Sequence, residues 1–187
     1  AVGTDSLGAS GTGVANNVMI GYNTGYGLTG DGNVAIGHTA FDASGDRDDC
    51  VAIGRAALTS NTTGDNNIAV GTGSLEALTT GSNNVAVGFN TLLAATSESG
   101  QVAIGHQALN SNDTNGTNTA LGYQAGKGIT SGASNICIGY QAFDKGTTGY
   151  DTIAIGNNCL DNGSAYTGYY NTFVGNGAAR LITSAIN

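Results

Sequence analysis

Side chains able to carry chemistry are few in this 187-residue chain, and they stand far apart. His38 and His106 are the two histidines, each directly after an Ile-Gly pair. A histidine acting as a general base would need a nucleophile within hydrogen-bond reach. The densest charged run, Asp46-Arg47-Asp48-Asp49, offers oxygens suited to a hard cation such as Ca²⁺. Its spacing fits neither the EF-hand nor the nonapeptide calcium roll, and it reads as a solvated turn. The carboxylates otherwise scatter, without the paired arrangement in a deep groove that glycoside cleavage requires. With 13 acidic and 5 basic residues the net charge is -8. That leaves no basic footprint for a nucleic-acid backbone or an anionic lipid surface. No apolar run approaches the roughly 18 residues of a membrane span, so membrane insertion is not expected. The reading is of a non-enzymatic protein without metal or cofactor.

What positions these residues is an internal repeat. The glycine that closes each Val-Ala-Ile-Gly-like tetrapeptide recurs at Gly3, Gly21, Gly37, Gly54, Gly71, Gly88, Gly105, Gly122, Gly139, Gly156 and Gly175. Most intervals are 17 residues, and they run through the whole sequence, so residues 1–187 form one repeat domain. Such a unit is too short for a helix pair and suits a coil of two short strands and two turns. Eleven coils at a rise of about 4.8 Å would make a rod of roughly 50 Å. The two histidines would then be about 19 Å apart, too far to share a proton or a metal. The fold class expected is an all-β parallel solenoid. The chain opens and closes within a repeat, and no polar cap covers either end, as in a fragment of a longer chain.

Columns of like residues predict the coil's anatomy. Val or Ile, and once Leu121, stands directly before the repeat glycine and mostly again two positions earlier, which by period two places both on one face, read as the core face. Leu7, Phe41, Leu58, Leu75, Leu92, Leu109, Phe143 and Leu160 would close that core from the opposite wall. A second glycine column, Gly30, Gly64, Gly81, Gly132, Gly149 and Gly168, suggests turns with positive φ. Asn17, Asn33, Asn67, Asn84, Asn118, Asn135 and Asn171 would stack as a coil-to-coil ladder. Thr29, Thr63, Thr80, Ser97, Thr114, Ser131, Thr148 and Thr167 form a hydroxyl column beside the turn. Between the two Val/Ile positions lies Ala35, Ala52, Ala69, Ala86, Ala103, Ala120 and Ala154, with Met19, Cys137 and Phe173 as exceptions. Read as facing outward, this column leaves room for little more than a methyl and points to a subunit interface. The most varied column follows the repeat glycine. It includes Tyr22, His38, Phe89, His106, Tyr123 and Tyr140, aromatic groups suited to contact with a sugar or protein surface.

The unit in Asn33-Val34-Ala35-Ile36-Gly37 resembles the head repeats of trimeric autotransporter adhesins, and Asn118-Thr119-Ala120-Leu121-Gly122-Tyr123-Gln124-Ala125 is closer still to repeats of phage and large-virus tail fibres. The resemblance implies a left-handed parallel β-roll, three chains packed side by side, and attachment to a host surface. Its expected partners are two further copies of itself and a host-cell surface glycan or protein. The period is longer than in the autotransporter repeats. Cys50, Cys137 and Cys159 are odd in number, and Cys137 and Cys159 lie in different columns, so they read as buried thiols. Unpaired thiols suit assembly in a reducing cytoplasm, hence a virion, better than a bacterial cell surface. An ice-binding solenoid is the third reading, weakened because its Thr/Ser column borders a turn and not a flat strand array.

Overall fold

The structure, a computed structural model, describes residues 1–8, 11–12, 14–113, 116–146, 148–161, 166–180 and 182. Each repeat from the second onward supplies one three-residue strand, from β1 (Val18–Ile20) to β10 (Thr172–Val174), and the ten strands stack in chain order as one parallel sheet. Register aligns like with like: Val34 with Val51, Ala35 with Ala52, Ile36 with Ile53. The result is an all-β solenoid of about nine turns. Eleven coils were expected, but the first repeat contributes only an isolated bridge between Val2 and Ile20. The second strand expected in each coil is also absent among the described residues, where turns and a few isolated bridges close the circuit.

The turns explain both glycine columns, and one differs from expectation. At Gly71 φ is 134°, in the region L side chains rarely adopt, and an added Cβ would lie 2.3 Å from the carbonyl oxygen of Gly88 in the next coil. The second column, Gly64 and Gly81 for example, does not have positive φ. It is glycine for want of space, since a Cβ on Gly81 would fall 1.8 Å from the Glu98 carbonyl oxygen. Positive φ falls instead on bulky residues such as Leu58, Leu75 and Leu92, each at 51°. That conformation costs about 1–2 kcal/mol. Burying each leucine completely contributes about 1.5–3 kcal/mol, which outweighs it.

The strand faces the opposite way to the reading from period two. Ala35, Ala52, Ala69, Ala86, Ala103, Ala120 and Ala154 are wholly enclosed within their own chain, so they cannot meet another subunit. The flanking Val and Ile residues point outward, with Val18 and Leu121 both 47% exposed. The cause is the narrow lumen. A coil of this length has room for a Leu or Phe from the opposite wall and a methyl from the strand, and not for two β-branched columns. The exceptions show the limit: Met19 occupies the alanine column where the opposite wall has Gly25, whose added Cβ would lie 2.7 Å from the Met19 sulfur. The same compensation governs the turn. Leu78 and Ile129 accompany Gly81 and Gly132, whereas the smaller Ala95 accompanies the buried Glu98.

Polar ladders join the coils. Asn67 Oδ1 accepts the Asn84 backbone N–H at 3.0 Å, Asn84 Oδ1 that of Gln101 at 2.9 Å, and Asn118 Oδ1 that of Asn135 at 3.0 Å. Their amide nitrogens donate to turn carbonyls, Asn84 Nδ2 to Glu98 O at 2.7 Å. The asparagine column is thus a ladder, as its spacing suggested. The hydroxyl ladder runs one residue before the expected column: Thr62 donates to the Thr79 carbonyl at 3.0 Å and Thr79 to that of Thr96 at 2.7 Å. Thr114 and the residues after 182 lie outside the described residues.

Candidate contact surface

Outside the lumen the parallel sheet presents two columns of β-branched residues along its length. One holds Val51, Ile68, Val85, Val102 and Ile136, the other Ile53, Val70, Val87, Ile104 and Ile138, all half-buried or exposed. Nine strand-to-strand steps at about 4.8 Å make this face about 43 Å long. Contiguous apolar patches of that extent mark interaction sites.

The repeat glycine turns the chain at the border of this face, and the next residue stands along it. All six aromatic candidates fall in that column. Tyr22 stacks on His38 with ring centroids 5.2 Å apart. Phe89, His106, Tyr123 and Tyr140 form an unbroken ladder with separations of 5.2, 5.1 and 5.0 Å. The interplanar angle between Tyr123 and Tyr140 is 9°. The stacking follows from register, which repeats the backbone at nearly the spacing of offset-stacked rings. It also restricts the ladder's chemistry. His106 and Tyr123 have a ring against each face, so they offer edges, a hydroxyl and imidazole nitrogens, and not a stacking face. Tyr140, 49% exposed, ends the ladder.

Several of the remaining chemical groups serve the fold. Asp48 Oδ1 accepts the Asp31 N–H at 2.7 Å, and Asp65 Oδ1 accepts the Asp48 N–H at 2.9 Å. Arg47, read from sequence as part of a solvated turn, instead lies inside the lumen. It donates to the carbonyls of Ala43 and Asn61 and sits 4.2 Å over the Phe41 ring. Burial lowers its pKa to about 10, against the opposing pull of Cys50 and Asp46. The signal that could have revealed this is its place in an otherwise glycine-rich column. Cys50, Cys137 and Cys159 are buried and unpaired, and burial raises the Cys50 thiol to about 11. Among the described residues no group of three or more His, Cys, Asp or Glu is placed to hold a metal ion. An open groove of about 460 Å³ lies elsewhere on the surface, lined by Leu93, Ala94, Asn110, Ser111, Asp113, Thr130 and Ser131.

Comparison with protein-family models, with curated proteins and with solved structures finds no match.

Proposed function

We propose that this chain is a non-enzymatic rod segment of a viral tail fibre, assembled as a homotrimer through the outer Val/Ile face and attaching to host surfaces through the bordering aromatic column. The observation that carries this reading is the apolar sheet face that runs the length of the solenoid with stacked rings along its border. Two columns of Val and Ile facing water would be an aggregation liability on a free monomer, and three copies packed side by side cover them. The interface assigned to the alanines thereby moves one residue to either side. The resemblance to tail-fibre repeats and the three buried thiols favour a virion over a bacterial cell surface.

Adsorption is the test of attachment. Purified chain should bind host cells and compete with the virion. Replacing Tyr123 and Tyr140 by Ser should weaken that binding about tenfold while leaving the fold and assembly state intact. Unchanged adsorption by the double variant would make this segment a passive shaft.

A further inference from the structure

The aromatic column has a gap in which two coils carry no ring. Between His38 and Phe89 it holds Arg55 and Thr72. Gly73 N–H donates to Arg55 O at 3.0 Å and Asn90 N–H to Thr72 O at 2.9 Å, which sets Arg55, Thr72 and Phe89 in three successive coils. Phe89 therefore meets a ring on one side, His106, and looks across Thr72 on the other. Exposure follows the same pattern. Tyr123, with a ring on both faces, is 41% exposed, whereas Phe89 is 46% exposed, near the 48% and 49% of Tyr22 and Tyr140, which also have one ring partner each. Thr72 is half-buried and its side chain stops at the γ atoms, so the space over it is one rung of the ladder left unfilled.

Polar groups without partners edge this rung. Arg55 stands exposed in the coil on its far side, and among the described residues its guanidinium has no ion pair. Beside Thr72, an added Cβ on Gly73 would lie 2.4 Å from Asn90 Oδ1 and 3.1 Å from Glu76 Oε2. Two acceptor oxygens thus converge one residue from the rung, and neither accepts a hydrogen bond from a described residue. We propose that the missing rung is a saccharide subsite. A pyranose entering over Thr72 takes the place of a ring of the ladder, about 5 Å from Phe89, and lays its apolar C–H face on that ring. Its hydroxyls, which both donate and accept, meet the Arg55 donors, the Thr72 hydroxyl and the Asn90 and Glu76 oxygens, all in the same or adjacent coils. A phenyl or indole group would fit the spacing but leave those polar groups without partners, which favours the sugar. The subsite lies in the column to which attachment is assigned; it deepens that reading and rests on it for its biological role.

The test is titration of the whole chain with maltohexaose, cellohexaose and lacto-N-tetraose, with N-acetyltryptophanamide as the aromatic comparator, read by calorimetry and by aromatic ring NMR signals. At least one sugar should bind and move the Phe89 signals more than those of Tyr140. Thr72→Tyr fills the rung with the residue that Tyr22, Tyr123 and Tyr140 already supply at the equivalent position, so the fold should be kept while binding falls about tenfold or more. Arg55→Gln, at an exposed site, should weaken binding several-fold and provides a folded control should Thr72→Tyr misfold. Silence of the Phe89 signals at about 10 mM of every sugar would overturn the subsite. So would equal binding by parent and Thr72→Tyr, or binding of N-acetyltryptophanamide with none of any sugar, which would make the rung a protein contact. Adsorption to host cells is read separately: sugar binding lost in Thr72→Tyr with adsorption unchanged would exclude the rung from attachment while leaving attachment through Tyr123 and Tyr140 standing.

Discussion

In Val85-Ala86-Val87 the smallest side chain is wholly enclosed, while the two larger ones stand on the outer face. The same inversion holds in other strands of this sheet, such as Val102-Ala103-Ile104 and Ile153-Ala154-Ile155. Burial is favourable in proportion to apolar area, yet available volume decides which residue collects it. A lumen already filled by Leu75 or Leu92 admits only a methyl from the strand. The β-branched residues keep the conformation they prefer in strands while their apolar surface stands on the outer face.

The contrast breaks most visibly when the two faces receive the same enlargement. Replacing Ala86 and Ala103 by Leu should destabilise the folded chain by about 1–3 kcal/mol per site through overpacking of the lumen. The matching replacements of Val85 and Val102 by Leu should stay within about 0.5 kcal/mol in the monomer. Denaturant unfolding of both double variants measures the difference. The ladders extend the comparison to polar groups. Asn84→Ala leaves the buried Gln101 N–H without its acceptor and should cost about 1–3 kcal/mol. Thr79→Val, at a half-buried turn, should cost about 0.5–1.5 kcal/mol by the same measurement.

A double-mutant cycle sharpens the volume argument. If Met19 is tolerated because Gly25 yields space, then Ala69→Met combined with Leu75→Gly should be less damaging than the two single changes added together. The expected coupling is about 1 kcal/mol, and strict additivity would contradict shared lumen volume.

The smallest effect expected is a pH dependence. Burial raises the Asp144 carboxyl above its ordinary 3.8, opposed by the hydrogen bond from Lys145. A carboxyl that holds its proton more tightly when folded makes the chain more stable as pH falls through the raised folded value. The gain levels off once the pH drops below 3.8, where the unfolded chain is protonated too. Asp144→Asn should remove that slope from melting temperatures recorded between pH 7 and 3.

Much of this arrangement was legible in the residue columns. The period, the asparagine ladder and the buried Leu/Phe wall follow from spacing, because stacking in register places equivalent residues over one another. The orientation of the strand did not follow, because alternation says that Val34 and Ile36 share a face and not which face it is. Met19 paired with Gly25 held the missing information, as a volume exchange across the lumen. Arg47 was hidden for a related reason: charge marked it for solvent, whereas its column points inward. The aromatic candidates were visible as one column, but their stacking, which removes the free faces of His106 and Tyr123, needed the ring geometry.

The claim that the outer Val/Ile face is a contact between copies of this chain is tested most directly by sedimentation equilibrium, comparing the parent chain with a variant carrying Val85→Lys and Val102→Lys. Those lysines lie on the outer face and leave the lumen untouched. The result expected is a parent of three times the 18.4 kDa chain mass and a variant that sediments as a folded monomer with an unchanged circular dichroism spectrum. A parent chain that is itself a stable, folded, soluble monomer at micromolar concentration would contradict it.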